Sequence, residues 1–303
     1  MRPHQPRPNM GFLLGAGYPE MAAAFRNELS RLGYTEGRNI VIEARFSRPN
    51  TPDLETMAAE LAQMDLALIV AGALPFALAV RKANPSMPMV IATCPGMVSN
   101  GFAQTLDRPG GIYTGMDELP PGVTARRLSL LKTAAPAVTR VALLSTTPGR
   151  GGHEAQVADA EAAAPALRVE VRPYRAASLA ELRYALERIA AESMDGMLNF
   201  QGGLSLSNRQ LIVDFAAAKR IPAIYQATLF AEAGGLMAWA PDLLEQYREA
   251  ARFVDKILKG ARPGDLPVKQ PEKYYLTVNS SAASRIGLTL PQELLAQATR
   301  VLA

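Results

Sequence analysis

Short apolar runs alternate along the chain with longer segments whose apolar residues recur every three or four positions. The runs GFLLG (11–15), NIVIEARF (39–46), LALIVAG (66–72), MPMVIAT (87–93) and GIYTG (111–115) read as strands. The series resumes with RVALLST (140–146), LRVEVRPY (167–174), DGMLNF (195–200) and IPAIY (221–225). Between the first two runs, Met21, Phe25, Leu29 and Leu32 fall four, four and three apart with Arg26, Glu28 and Arg31 interleaved, which is the period of a helix with one buried face. Leu244, Tyr247, Ala251, Val254 and Leu258 repeat the pattern, and Gly260 stands where a helix C-cap belongs. Strands separated by helix-length segments predict βαβ units and a parallel sheet.

A chain of 303 residues exceeds the usual size of one hydrophobic core, so two domains are expected. Five β/α units precede DELPPGVTARR (117–127), where Pro120 and Pro121 punctuate the chain, and about four follow. The predicted fold class is α/β: two doubly wound parallel-sheet lobes, with a crossover near 117–124. From Gly235 onward come a strand (GLMAWA), a long helix, the loop ARPGDLPVKQPEK and a further strand (YYLTV). That is too little for a third domain and is expected to return to the first two. The N-terminal lobe is then 9–118 plus about 242–278, and the C-terminal lobe 119–241 plus about 279–303.

Apolar residues make up 49% and charged residues 20%, the profile of a packed globular protein. The net charge of +4 is scattered without a basic block, which argues against a nucleic-acid partner. The longest apolar stretches, such as Leu66 to Leu74, are too short to span a bilayer. Cys94 is the sole cysteine, so no intrachain disulfide can form. The opening MRPHQPRPN holds three prolines and no apolar stretch, so it reads as neither signal peptide nor helix, and an exported form would have lost its signal.

Catalysis is poorly provisioned. A dinucleotide fingerprint needs a third glycine three positions after Gly17, and Glu20 stands there. What the turn retains is a strand end, a flexible Gly15-Ala16-Gly17 and Pro19 at a helix start, a geometry suited to a small anion such as a carboxylate. His4 and His153 are the two histidines; His153, in the Gly-rich STTPGRGGHEAQ, is expected on a solvated surface. Cys94, in ATCPG, has no evident activating base. No nucleophile elbow, Walker loop or metal-spaced cluster occurs, so neither enzymatic activity nor a cofactor nor a metal is expected. The remaining candidates are loops at the carboxyl ends of the strands, where open α/β sheets bind ligands. These are Ala16 to Tyr18, Ala73 to Pro75, Cys94 to Gly96, Thr114 to Asp117, Thr146 and Thr147, Gln201 and Gly202, and Tyr225 to Thr228. They fall on both halves of the chain, which favours an interdomain cleft.

Three stretches carry a resemblance: FRNELSRLGYTEGRNIVIEARF (25–46), RPGGIYTGMD (108–117) and the long block from IPAIYQATLF to RIGLTLP (221–291). The chain resembles, from about 10 to 300, the substrate-binding proteins of bacterial ABC transporters, in the family that includes tryptophan- and tyrosine-type binding proteins. The resemblance implies a type I periplasmic-binding architecture: two lobes joined by a hinge that close on a small organic ligand. It also implies permease subunits as partners and a periplasmic or other extracytoplasmic location; a monomer is expected. The Gly15–Tyr18 turn, with Ala16 and Gly17, matches the family's first ligand loop. In AGALPFALAV, Ala73 and Leu74 stand where relatives carry a polar residue, leaving the backbone N–H groups near Pro75. Cys94 and Pro95 replace an acidic pair that would hold an α-amino group. Both departures count against a free amino acid and toward a less zwitterionic, more apolar ligand; the expected ligand is amino-acid-like or an aromatic or aliphatic carboxylate. Tyr18, Phe76, Tyr225 and Trp239 are candidate aromatic walls, and Asp117, Thr146 and Gln201 candidate polar contacts. A nucleotide-dependent α/β enzyme and a ligand sensor on the same bilobed fold are the rival readings.

Overall fold

The computed structural model describes residues 7–16, 18–47, 53–146, 151–200 and 202–303. The chain divides into two compact units, 1–118 with 242–271 and 119–241 with 272–303, so it passes between them at 118/119, 241/242 and 271/272.

Lobe 1 runs β1 (Asn9–Gly15), α1 (Pro19–Arg31), β2 (Val41–Ser47), α2 (Asp53–Ala62), β3 (Leu68–Ala71), α3 (Leu74–Ala83), β4 (Met89–Cys94) and β5 (Tyr113–Asp117). Its sheet is parallel throughout, in the order β2-β1-β3-β4-β5. β3 and β4 are buried at every position, which is why they read as unbroken apolar runs rather than alternating ones. One face packs Phe12, Val70 and Val90 against α1 and the helix Leu243–Leu258; the other packs Leu13, Ile69 and Ile91 against α2 and α3. β5 forms two residues later than the expected 111–115. The chain at Gly110 and Gly111 is pressed instead against the 3-10 turn Pro263–Asp265, where Gly110 N–H donates to Gly264 O at 3.0 Å.

Lobe 2 runs α4 (Val123–Ala134), β6 (Arg140–Ser145), α5 (Gly151–Leu167), β7 (Glu170–Arg175), α6 (Leu179–Ala191), β8 (Gly196–Phe200), α7 (Gly203–Ser207), α8 (Arg209–Ala218), β9 (Ala223–Tyr225), α9 (Thr228–Glu232) and β10 (Met237–Pro241). The chain then enters lobe 1 as α10 (Leu243–Leu258) and comes back as β11 (Tyr274–Asn279), α11 (Ser280–Arg285), α12 (Gln292–Gln297) and β12 (Arg300–Leu302). The sheet order is β12-β11-β10-β9-β8-β6-β7. It is parallel except that β11 runs antiparallel to β10, pairing Trp239 with Leu276. That pairing also assigns YYLTV to lobe 2, so the last passage falls at 271/272 rather than after 278.

Candidate functional site

In each lobe the first strand has its sequence neighbours on opposite sides: β2 and β3 flank β1, and β7 and β8 flank β6. Chain leaving the two central strands there turns to opposite faces, opening a crevice at the carboxyl ends.

In lobe 1 the crevice lies between the ends of β1 and β3. Ala16 is exposed and donates its N–H to Ser47 O at 2.9 Å; Gly17 lies outside the described residues. Tyr18 and Phe76 are half-buried, and a Cβ built on Gly15 would meet the Tyr18 ring at 3.0 Å and the Phe76 ring at 3.7 Å. The two rings therefore converge over Gly15. Tyr18 and Ala73 are the N-cap residues of α1 and α3, and neither caps its helix with a side chain, in contrast to Ser178, Asp242 and Asn279 at α6, α10 and α11. Pro19 and Pro75 carry no N–H, and Met21 and Phe76 donate theirs to Tyr18 O at 3.2 Å and Ala73 O at 3.0 Å, so the first turns leave the Glu20 N–H and the Leu74 N–H at the positive end of each helix dipole. Gly72 is pinned from three sides: its N–H donates to Leu13 O, and its carbonyl accepts from Tyr247 OH at 2.7 Å and Thr93 Oγ1 at 3.1 Å. Sequence reasoning missed both buttresses, which stand 175 and 21 residues from Gly72.

Several expected contacts serve the fold instead. Ala73, Pro75 and Pro95 stay half-buried at the loops, but Leu74 and Cys94 sit in the core with Leu13, Ile91 and Met97. Burial, with Asp117 and Glu118 nearby, pushes the Cys94 thiol well above its ordinary value, so it remains a protonated core group. Asp117 is 4% exposed, and its carboxylate accepts from Gly96 N at 3.3 Å and Met97 N at 2.8 Å, shaping the loop after β4. Thr114 is buried, with its hydroxyl donating to Leu266 O.

In lobe 2, Thr146 is buried and its Oγ1 accepts from Ser205 N at 3.0 Å, tying the end of β6 to α7. Gly202 allows that approach, since a Cβ there would lie 2.7 Å from Thr146 Oγ1. Thr147 and Gln201 lie outside the described residues, as does His4. Tyr225, expected as an aromatic wall, is fully buried and stacked on Phe230 at 4.8 Å; burial raises its phenol above the ordinary value. Trp239 is half-buried, stacked on Tyr274 at 4.5 Å, and its carbonyl accepts from Arg127 Nε at 3.0 Å. His153 is not a surface residue: it is 6% exposed, edge-on to Phe200 at 6.1 Å. Burial and the charge of Arg175 outweigh Glu154 and hold it below the ordinary imidazole value. Beside it, Gln226 donates to Gln156, a buried pair invisible to motif searching because 70 residues separate its members.

Among the described residues no group of three or more His, Cys, Asp or Glu is placed to hold a metal ion, and no helix is long and apolar enough to cross a membrane.

A tyrosine-binding protein of Clostridioides difficile (strain R20291) is 21% identical over 283 residues, covering 92% of this chain and 81% of the relative. The ABC domain from Streptococcus pneumonia, solved in complex with L-Trp, superposes with a TM-score of 0.86 at 22% identity over 97% of this chain and 100% of that one. A solute-binding protein of an ABC transporter from R. palustris, solved with benzoate, superposes at 0.58 and 17% identity over 95% and 84%. The bilobed α/β fold is that of type I periplasmic binding proteins. The family described as ABC transporter substrate binding protein matches residues 12–302, and the chain belongs to it: it is a solute-binding protein for a small ligand.

Proposed function

We propose that this protein captures a small organic acid without an α-amino group, aromatic or aliphatic, and delivers it outside the cytoplasm to the permease of an ABC importer, acting as a monomer. The observation that carries the reading is the convergence at Gly15 of two aromatic rings, Tyr18 and Phe76, with the uncapped starts of α1 and α3. The rings offer an apolar wall and the helix starts offer N–H groups to a carboxylate. No acid stands at Cys94 or Pro95 to pair with an ammonium, and Asp117 is engaged by Gly96 and Met97. The benzoate-bound relative supports the class of ligand, since its solute is a carboxylate with no amino group. The rival enzyme reading rests on the 15–17 turn, where Glu20 takes the place of the third glycine of a dinucleotide fingerprint.

Native mass spectrometry of the protein as purified, repeated after denaturation, asks what travels with it. A released mass matching a carboxylic acid is expected, and Tyr18→Ala weakens that acid about tenfold or more, the scale of one lost aromatic contact. A released free amino acid, or undiminished affinity in Tyr18→Ala, would overturn the ligand class and the wall assignment respectively.

A further inference from the structure

The loop that follows β4 in lobe 1 is folded around one side chain. Asn100 is half-buried, and its Nδ2 donates to Pro95 O at 2.9 Å and to Gly96 O at 2.8 Å, so both hydrogens of the amide hold backbone. The next residue, Gly101, stands in the left-handed region at φ +70°, and its N–H closes a β-turn on Val98 O at 3.0 Å. From α3, Arg81 Nη1 donates to Asn100 O at 2.9 Å and Gly101 O at 3.3 Å, with its guanidinium 4.1 Å from the centre of the Phe102 ring. At the start of the loop Asp117 takes the N–H groups of Gly96 and Met97.

Asn-Gly occurs once in the chain, and it is a reactive pair. Once its proton passes to hydroxide, the Gly101 nitrogen can attack Cγ of Asn100, with no Cβ of its own to hinder the approach. The new N–Cγ bond closes a cyclic imide as the Cγ–Nδ2 bond breaks, and Nδ2 leaves as ammonia with a proton taken from water. Water then opens the imide at either carbonyl and leaves aspartate or its β-linked isomer, with nothing oxidised or reduced. In the folded loop both partners are engaged, Nδ2 on Pro95 and Gly96 and the Gly101 N–H on Val98, so the attack waits for the loop to open.

The product cannot rebuild the loop. An ionised carboxylate at position 100 has no proton to give and would set acceptor against acceptor at the carbonyl oxygens of Pro95 and Gly96. It also brings a second negative charge to Gly96, whose N–H Asp117 already takes. The β-linked isomer lengthens the main chain by a carbon as well.

We propose that Asn100-Gly101 is a latent self-modification site. The clamp keeps it inert in the folded loop, and each opening of residues 95–102 exposes it to a conversion that does not reverse and leaves the loop after β4 unclamped. The age of a molecule is thereby written into one of the carboxyl-end loops of its lobe 1 sheet, whichever solute it carries.

The test needs no solute. The full chain is kept at mildly alkaline pH, folded in buffer or unfolded in strong urea, and the Asn100 peptide is followed over days by peptide mapping with mass detection. Conversion at Asn100 is expected in urea and about tenfold or more slower in buffer, as for chemistry gated by local opening. Arg81→Met, which releases the carbonyls of Asn100 and Gly101, is expected to speed the reaction in buffer about threefold or more and to leave the rate in urea unchanged. Asn100→Asp, the product made directly, is expected to raise hydrogen exchange over 95–102 about tenfold, while β2, at the far edge of the sheet, keeps its protection. Should Asn100→Asp fail to fold, natural protein converted by ageing supplies the same comparison. Equal rates in buffer and urea, an Asn100 that stays intact in urea, or undisturbed exchange in the converted loop overturns the inference.

Discussion

The carboxyl ends of the two sheets are built from different material. Lobe 1 presents small or apolar residues, Ala16, Ala73 and Pro95, so its polar offering is backbone N–H at the starts of α1 and α3. Lobe 2 presents side chains with hydrogen-bonding atoms, Thr146, His153, Gln156 and Gln226, all buried. Backbone donors at a helix start accept any compact anion, whereas an oriented amide distinguishes one partner from another.

The comparison breaks most sharply at the two glycines that let each crevice form. A Cβ at Gly72 would lie 2.7 Å from Leu14 Cδ1 and 2.8 Å from Tyr247 Oη, and one at Gly202 would lie 2.9 Å from the Thr146 carbonyl oxygen. Gly72→Ala and Gly202→Ala are each expected to cost about 2–3 kcal/mol through overpacking. Hydrogen exchange should localise the loosening to β1 and β3 in the first case, and to β6 and α7 in the second. Loosening that spreads equally through both lobes in either variant would show that the two crevices are not separately built.

A smaller effect separates the lobes by their ionic ties. In lobe 1, Arg252 on α10 joins Glu28 of α1 at 2.8 Å as well as Glu245 and Glu249, and Lys269 also reaches Glu249. Burial pushes the Glu249 carboxyl up, but Lys269 and Arg252 outweigh it and leave it below its ordinary 4.5. A carboxyl lowered by folding contributes stability above its unfolded value and loses it as pH falls toward the folded one. Arg252→Met should therefore cost about 1–2 kcal/mol at neutral pH, with the gap to the natural protein closing below about pH 4.5, as urea midpoints between pH 7 and 3 would record. In lobe 2, Arg172, Tyr174 and Arg188 hold the Glu192 carboxyl down to about 2; that cluster is more open to solvent, so Glu192→Gln should show the same sign with a lower amplitude.

The smallest effect concerns helix ends. Among the described residues, every positive-φ position of lobe 1 is a glycine, whereas lobe 2 also places Arg168, Ser193 and Arg220 near φ +54° just past α5, α6 and α8. Replacing each by glycine should stabilise lobe 2 by about 0.5–1 kcal/mol, raising Tm by about 2 °C. No gain would mean that side-chain contacts of these residues offset their backbone strain.

β3 and β4 are legible because their burial makes them continuous apolar runs, and α1 and α10 because one face of each is apolar at helical spacing. The placement of β5 was not, because it depends on Gly264 arriving beside Gly111 from far along the chain. Candidate loops followed from the rule that ligands bind at carboxyl ends, but roles did not. Asp117 reads as a ligand-orienting acid until the two N–H groups it accepts, at Gly96 and Met97, are seen. Tyr225 reads as a wall until the pleat of β9 turns it onto Phe230. Gln156 and Gln226 carry no motif at all; their meeting is a product of α5 crossing the ends of β8 and β9.

The sealed position of Cys94 has a practical consequence. A chain whose single thiol is fully buried and held protonated is silent toward maleimide dyes in its native state, so a second cysteine placed at an exposed site would be labelled alone without removing the first. The natural sequence is in that sense already a background for a fluorescent reporter of its own solute.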